Sequence, residues 1–281
     1  MSYFRFGALS PGDVTAASQA FAAADPFPHV VITDVITVPP QSVLRHFPSC
    51  NSSEWLRATE SYQMAKMTFS RLERLPEPFL SMLCELSAPP FLQFLEKLSG
   101  IPGLIPDPYL QGAGLHRSGV GGVMAPHTDT HIHQRLGLFK RVNVVIYLNP
   151  DWSEEYGGCL ELYDSRDPVT PVRTIVPRWG TCVIFRTDTR SVHGFSQPIV
   201  GRERVRRAVV AYYYTSSDTL AFSGDLMTHW WEHGNYWERS HGGMLGRCAR
   251  MYLYRSLRIG ATGLAYLAHR ARPVAVPPVP R

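Results

Sequence analysis

Apolar residues recur every three to four positions in much of the first 108 residues of the chain. The clearest stretches run from Phe79 to Leu86 and from Phe91 to Leu98. This spacing predicts two helices that each turn one apolar face to a core. Prolines precede both stretches and Gly100 follows the second, as is typical of residues that begin and end helices. Weaker signals predict a helix over Val14–Ala24, a strand over Val30–Thr33 and a short helix over Pro40–Phe47.

The pattern changes to that of short strands between about Tyr109 and Thr215. Runs rich in β-branched and aromatic residues alternate with clusters of Gly, Pro, Asp and Asn, and no helix of ordinary length fits between them. The runs are Val142–Leu148, Cys159–Tyr163, Val172–Val176, Thr181–Arg186 and Arg206–Tyr214. Such a succession predicts a sandwich or barrel, here a jelly roll. The predicted fold class is therefore mainly β with flanking helices.

Beyond Asp218 the pattern becomes helical again and basic. Residues 242–281 hold seven Arg and no Asp or Glu, so they carry +7, whereas the rest of the chain carries −2. Met244–Leu257 is predicted as a basic amphipathic helix, and Pro273–Arg281 as a Pro-rich, extended tail. We predict one domain over residues 1–281. It comprises an N-terminal helical support region (1–108), a β core (109–216) and a helical, basic C-terminal extension (217–281).

Composition indicates a globular protein. Of the 281 residues, 44% are hydrophobic and 18% are charged. The five cysteines are scattered without a CxxC pair, which argues for a reducing compartment and against a disulfide framework or zinc ribbon. No signal peptide or membrane span is predicted. Since the net charge of +5 is too small to indicate nucleic-acid binding, we expect a cytoplasmic protein without that partner.

The candidate chemistry lies in the stretch that begins at Pro126. Residues two apart on an extended strand point the same way, so His127 and Asp129 can bind one metal ion from one face. His193, which follows the predicted strand Thr181–Arg186, can supply a third ligand. Two His and one carboxylate on one face of an octahedron leave coordination positions open, as in non-haem Fe(II) oxygenases.

The choice of ligands within this stretch stays open from the pattern alone. His131 and His133 continue the same alternation, so Asp129 with His131 is a rival pair. If the strand ends at Thr130, both later histidines are loop residues without a metal role. A chance His-x-Asp in a polar loop is the simpler alternative to any metal site.

A second element is rich in arginine and precedes an apolar strand. An Arg at the start of such a strand, downstream of His193, can anchor a carboxylate through two parallel N–H donors. Arg206 and Arg207 point to opposite faces, so at most one of them lines the barrel. An inward Arg needs an anion, because an unpaired buried charge is costly.

These motifs, taken in order, resemble a known family. They are His127-x-Asp129, Arg141–Trp152 (RVNVVIYLNPDW), Tyr156–Leu162 (YGGCLEL), Pro177–Phe185 (PRWGTCVIF), His193 and Arg206-x-Ala208. The order closely resembles the 2-oxoglutarate/Fe(II) dioxygenases of the prolyl 4-hydroxylase type, which include hypoxia-factor prolyl hydroxylases and many bacterial relatives. The resemblance covers roughly residues 109–215 and implies a double-stranded β-helix core.

The resemblance also implies site residues and cofactors. It assigns iron to His127, Asp129 and His193, and 2-oxoglutarate to Arg206 rather than Arg207, with Tyr147 as a further contact. Relatives often carry a Tyr about ten residues before the first ligand, whereas the nearest polar candidate for that role here is His116. Tyr212 shares a face with Arg206 and is predicted to line the pocket or to pack in the core. The implied cofactors are Fe(II), 2-oxoglutarate and O₂, with ascorbate as a candidate reductant.

The resemblance implies an oxidoreductase that hydroxylates an unactivated C–H bond and forms succinate and CO₂. A small organic molecule or metabolite is the favoured substrate. A peptidyl-prolyl or protein hydroxylase is the alternative within the same chemistry, and a non-catalytic jelly-roll binding protein is the alternative outside it. The complete set of His127, Asp129, His193 and Arg206 argues against loss of catalysis. For the basic C-terminal segment, a solvated helix is favoured over membrane contact.

Overall fold

A computed structural model describes residues 2–8, 10–58, 62–216 and 229–231 of the chain. The described residues before position 100 form four α-helices: α1 (Pro11–Ala23), α2 (Pro40–Leu44), α3 (Phe79–Ser87) and α4 (Pro89–Ser99). Ser10 caps α1 because its side chain accepts the N–H of Asp13 while Asp13 bonds back to Ser10. Gly100 ends α4 in a left-handed conformation, as predicted from its position.

The strands extend through the rest of the described chain and form one antiparallel sheet. Those before residue 110 are β1 (His29–Ile32), β2 (Leu56–Arg57), β3 (Gln63–Phe69) and β4 (Ile105–Pro106). Those after it are β5 (Gly114–Thr128), β6 (Phe139–Tyr147), β7 (Leu160–Asp164), β8 (Asp167–Ile175), β9 (Cys182–Arg186), β10 (Val192–Phe195), β11 (Arg206–Thr215) and β12 (His229–Trp230).

The long strand β5 joins the two halves of the sheet. The strand order is β1-β9-β6-β11-β5-β10-β7-β8. The first half of β5 pairs with β11, and the second half pairs with β10. On its other edge β5 pairs with β3 and, at its end, with β12. The sheet curls into the jelly roll, mainly β with flanking helices, that the pattern predicts.

Helices α3 and α4 cover the outer face of the sheet at β11. Their apolar stripes are buried and share one core with β6, β9 and β11. Tyr213 turns outward from β11, and its hydroxyl donates a hydrogen bond to the Leu86 carbonyl at 2.8 Å. Since alternate residues of β11 face opposite ways, Arg206, Ala208 and Tyr212 face the interior of the curled sheet.

The region predicted as helical support before residue 109 is helical only in part. Strand β3 pairs with β5 from Gln63 to Phe69, and β1 extends the sheet beside β9. The sequence of β3 is only weakly strand-like; its partner strand supplies the hydrogen bonds that fix it. The division of the chain into regions otherwise stays a prediction. The predicted Met244–Leu257 helix and Pro-rich tail lie outside the described residues, within which no helix has the length and apolarity to cross a membrane.

Candidate functional site

Three side chains converge inside the curled sheet. The register of β5 and β10 places His127 opposite His193, and their rings lie 4.4 Å apart. Asp129 follows one residue after β5 ends. Its Oδ1 lies 3.8 Å from Nε2 of His127 and 3.9 Å from Nε2 of His193. All three residues are buried. Among the described residues, they form the group of His and Asp side chains whose ligand atoms lie close enough together to hold one metal ion.

Backbone contacts fix the orientation of both imidazoles. Nδ1 of His127 donates to the Ala125 carbonyl, and Nδ1 of His193 donates to the Ser191 carbonyl, each at 2.9 Å. Because a carbonyl only accepts, both protons sit on Nδ1 and both Nε2 atoms keep a lone pair for a metal. Burial lowers the pKa of both rings, that of His127 to about 3, so both are neutral at neutral pH.

The carboxylate of Asp129 is held through its second oxygen. Oδ2 accepts a hydrogen bond from the amide of Asn143 at 3.0 Å and lies 3.7 Å from Nζ of Lys140. Burial acts to raise the pKa of Asp129, but the charge of the nearby Lys140 ammonium lowers it well below its usual value. The carboxylate is therefore ionised, with Oδ1 directed toward the two imidazoles.

The two later histidines take other roles. His133 is buried, its Nδ1 accepts the N–H groups of Arg135 and Leu136 at 3.2 Å each, and its Nε2 donates to Asp107 at 3.0 Å. These bonds organise the loop between β5 and β6. His131 is also buried, but among the described residues Asp129 converges with His127 and His193 and not with His131. The rival pair of the sequence is not assembled, since β5 ends at Thr128.

Arg206 enters the barrel as the alternation of β11 requires. It is 7% exposed, its Nε donates to the Gly158 carbonyl at 2.7 Å, and its Nη2 donates to the Tyr147 hydroxyl at 3.0 Å. No Asp or Glu among the described residues pairs with its guanidinium. Arg207 lies on the opposite face, partly exposed, 5.4 Å from the ring of Phe47.

A glycine of the YGGCLEL motif explains how the Gly158 carbonyl can approach the guanidinium of Arg206. Gly158 has a φ of 64°, and a Cβ there would lie 2.8 Å from Cγ1 of Ile199 and 3.3 Å from Cδ of Arg206. A side chain at this position would therefore clash where the backbone carbonyl must reach the guanidinium. The second glycine of the motif thus permits the Arg206 contact.

The remaining predicted residues lie on the interior face. Tyr147 is fully buried opposite Ala208, and burial raises the pKa of its hydroxyl. Nε2 of His116 donates to the Gly112 carbonyl at 2.9 Å, and burial, with help from Lys66, lowers the pKa of the ring to about 3. Tyr212 lies beneath the ammonium of Lys140, which is 3.4 Å from its ring centroid.

A cavity of about 340 Å³ borders two of the three converging side chains, His127 and Asp129. His127, Asp129 and Tyr212 form part of its wall, and Trp230 of β12 forms another part. The indole of Trp230 stacks on the ring of His127 at 4.5 Å and on Tyr62 at 5.6 Å. The cavity is therefore large enough for a small substrate and opens onto the candidate metal ligands.

Sequence reasoning did not assign roles to Asn143, Lys140 or Trp230. Asn143 could have been found by alternation, because it lies four residues before Tyr147 and shares its face of β6. The sequence pattern does not identify Lys140, because a lysine near the start of a strand is usually solvated. Trp230 lies beyond the β-rich part, and only its pairing with His127 shows its place.

The residues fit the cofactors that the motifs imply. Two imidazole nitrogens and one carboxylate oxygen are the donor set of the facial triad, which suits non-haem Fe(II). A buried guanidinium without a carboxylate partner among the described residues fits an anionic co-substrate such as 2-oxoglutarate.

Comparison with known proteins agrees with this fit. Residues 113–215 match the 2OG-Fe(II) oxygenase superfamily. The chain is 28% identical to prolyl 3-hydroxylase OGFOD1 of Mus musculus over 151 aligned residues. The aligned segment covers 53% of this chain and 26% of that protein. The OGFOD1 of Xenopus laevis is 32% identical over 81 residues, 28% of this chain and 16% of that protein. The chain thus spans about a quarter of the length of the mouse relative.

Two solved structures share the architecture at low identity. A Trichoplax adhaerens prolyl hydroxylase, in complex with a hypoxia inducible factor peptide fragment, has a TM-score of 0.51 at 15% identity and covers 75% of this chain and 98% of that one. The epimerase SnoN from nogalamycin biosynthesis has a TM-score of 0.50 at 14% identity, over 74% and 85% of the two chains. The family match over residues 113–215, together with the His-Asp-His site, supports a 2OG-Fe(II) oxygenase domain of the prolyl 4-hydroxylase type in this part of the chain, whose residues fit Fe(II) and 2-oxoglutarate as cofactors.

Proposed function

We propose that the protein hydroxylates an unactivated C–H bond of a small organic substrate while 2-oxoglutarate is converted to succinate and CO₂. The observation that carries this proposal is the position of the triad. His127 and Asp129 form part of the wall of the 340 Å³ cavity, so a substrate in the cavity lies beside the candidate metal ligands. A cavity of this size is typical of sites for small molecules.

The chain's own residues divide the work of binding. His127, Asp129 and His193 would hold iron, and Asn143 would keep Asp129 in place through Oδ2. Arg206 and the Tyr147 hydroxyl would bind the distal carboxylate of 2-oxoglutarate. Bound iron and 2-oxoglutarate supply the oxidising chemistry, in which O₂ is consumed and 2-oxoglutarate is decarboxylated.

The surroundings of the site favour productive turnover. The ligands, Arg206 and Tyr147 are all buried, so water has limited access to the reacting groups. The neutral imidazoles and the ionised carboxylate are in the protonation states that metal binding needs. The site is thus prepared for iron before any substrate enters.

The test is succinate formation by the purified protein with Fe(II), 2-oxoglutarate and O₂, followed by a screen of metabolite mixtures for products 16 Da heavier. We expect 2-oxoglutarate-dependent succinate that Asp129→Ala removes, and at least one mixture that accelerates it. Absence of succinate from metal-loaded, folded protein would overturn the proposal. Succinate that persists in Asp129→Ala would show that the activity does not come from this site.

Hydroxylation of prolyl residues in a protein is the second candidate. It is supported by the 28% identity over 151 residues to the mouse prolyl 3-hydroxylase. The test is incubation of cell lysate with the active protein or with Asp129→Ala, followed by peptide mass spectrometry. Prolyl residues oxidised only by the active protein would favour this candidate, whereas product in the metabolite screen alone would favour the first.

A further inference from the structure

We propose that the outer face of the sheet binds the phosphate group of a small molecule between Arg117 of β5 and Arg207 of β11. The site goes beyond the proposed function and does not depend on it. Neither arginine lines the cavity or belongs to the His-Asp-His group, and Arg206 lies on the opposite face of β11.

The register of β5 and β11 places the two arginines side by side. Arg207 pairs directly with Arg117, next to the pair formed by Arg206 and Ser118. Because side chains alternate between the two faces of a strand, Arg117 and Arg207 both point to the outer face, whereas Arg206 points inward. Side chains directly opposite one another have Cβ atoms about 4.5–5.5 Å apart. The two guanidinium groups can therefore reach one anion together.

This arrangement of like charges is unfavourable without an anion. Both arginine side chains are half-buried. Burial, and then the charge of Arg117, lower the pKa of Arg207. Like charges directly opposite each other destabilise an antiparallel pair, and a charge that is partly removed from water needs a partner. An anion bound between Arg117 and Arg207 would remove the repulsion.

The contacts that the two guanidinium groups make within the protein are weak and uncharged. Nη1 of Arg117 lies 3.6 Å from Sδ of Met67, and Nη1 of Arg207 donates to the Val205 carbonyl at 3.3 Å. Among the described residues, neither arginine forms an ion pair with an Asp or Glu. A guanidinium has five N–H donors in a planar fork, so each arginine can keep its contact and still bind an oxyanion.

The surroundings of the pair favour an anion. Strands β3, β5, β6 and β11 contain no Asp or Glu, whereas each contains at least one Lys or Arg. The ring of Phe47 lies 5.4 Å from the guanidinium of Arg207, and Met67 lies beside Arg117. Apolar groups beside a charge lower the local dielectric constant, which strengthens its attraction to an anion.

The number of donors distinguishes between classes of anion. One guanidinium fork is enough to bond both oxygens of a carboxylate. A phosphate group has enough oxygens to accept from two forks at once and enough charge to compensate both arginines. A pair of arginines on adjacent strands therefore fits phosphate better than carboxylate.

The first experiment measures phosphate binding by calorimetry. Metal-free protein in buffer of low ionic strength is titrated with inorganic phosphate, and in parallel with glycerol phosphate and with acetate. The variants are Arg117→Gln and Arg207→Gln. The control is Arg166→Gln, because Arg166 is exposed and its Nε donates to Oδ1 of Asp164 at 3.0 Å. Arg206 is present in all four proteins, so any phosphate that it binds is a common background.

We expect the wild type to bind phosphate, and each of the two variants to bind it at least about tenfold more weakly, as loss of a charged hydrogen bond predicts. Arg166→Gln should stay within twofold of the wild type. Equal binding by the wild type and both variants, or no binding by the wild type, would overturn the proposal. Acetate that binds as tightly as phosphate would overturn the assignment to a phosphate group.

The glycerol phosphate arm identifies the source of the group. Binding as tight as that of inorganic phosphate would show that the site accepts an ester, and much weaker binding would restrict it to free phosphate. Both results support a phosphate site, provided that Arg117→Gln and Arg207→Gln weaken the binding.

Thermal melts give a second readout that a purely structural role of the arginines would not produce. A ligand that binds only the folded state raises its melting temperature. Saturating phosphate should raise the Tm of the wild type and of Arg166→Gln, and should raise that of Arg117→Gln and Arg207→Gln by less than half as much. The same increase in all four proteins would overturn the proposal. If one variant does not fold, the other still tests the site, because the two arginines lie on different strands.

Discussion

The side-chain amide of Asn143 donates a hydrogen bond to Oδ2 of Asp129 across 3.0 Å, between two buried residues on different elements. Asn143 belongs to β6, whereas Asp129 follows the end of β5. This contact leaves Oδ1 as the oxygen that faces both imidazoles. A residue outside the ligand set thus determines which oxygen of the carboxylate is presented to a metal.

Replacement of Asn143 should weaken metal binding more than it affects folding. We expect Asn143→Ala to lower the affinity for Fe(II), or for Mn(II) as its substitute, by about 10- to 100-fold, as is usual when a partner of a metal ligand is lost. Excess metal should restore most of the succinate formation. The control is Gln134→Ala, at an exposed amide residue. Unchanged metal affinity in Asn143→Ala would show that the hydrogen bond does not hold Asp129.

Substitutions at His127, Asp129 and His193 should affect metal binding, whereas substitution of His133 should affect stability. Replacement of His127, Asp129 or His193 by Ala should each abolish succinate formation, because the metal loses a ligand. His133→Ala should bind metal but melt at a lower temperature, since it leaves buried Asp107 without its 3.0 Å contact. Metal titrations and thermal melts provide the two readouts. Loss of metal binding in His133→Ala with an unchanged melting temperature would contradict this division.

Arg206 and Arg207 should differ sharply in their effect on 2-oxoglutarate. Truncation of a buried, charge-paired residue costs about 2–5 kcal/mol, so Arg206→Ala should raise the apparent KM for 2-oxoglutarate by one to several orders of magnitude. Arg207→Ala should change it little, because its side chain lies on the opposite face near Phe47. Succinate formation is measured across a 2-oxoglutarate titration. A defect that follows Arg207 instead would mean that another residue anchors the co-substrate.

The metal-free protein should lose stability in acid partly through His116. In the folded protein the pKa of His116 is about 3, mainly through burial, whereas the unfolded chain has its usual value near 6.5. As pH falls below about 6.5 only the unfolded state gains a proton at this ring, so stability falls until the folded state is protonated too.

A matched variant isolates this contribution. Between pH 7 and 5, the free energy of unfolding of the wild type should fall by up to about 2 kcal/mol more than that of His116→Gln, an upper value because the side chain is partly exposed. Urea unfolding of both proteins at each pH checks the difference. Parallel loss in the two proteins would show that His116 is charged, or freely solvated, in the folded state.

Local patterns predicted the four helices and six strands (β1, β6, β7, β8, β9 and β11), but β3 is one of the strands that they did not predict. Phe79–Leu86 and Phe91–Leu98 become α3 and α4 because their apolar spacing is strong and prolines mark their starts. Strand β3 has little strand propensity and exists because β5 offers it a partner. Its prediction would have required knowledge of a neighbour more than 40 residues away.

The sequence by itself determined which side chains share a face of a strand, because side chains alternate between the two faces. This alternation placed His127 with Asp129 and separated Arg206 from Arg207. The alternation alone left His131 as a rival to His127, and the family resemblance selected His127. The contacts of Asn143, Lys140 and Trp230 depended on tertiary structure. They are set by where β5 ends and by the register between strands that are distant in sequence. Local periodicity carries no information about such pairing, because it comes from hydrogen bonds that form only when the sheet closes.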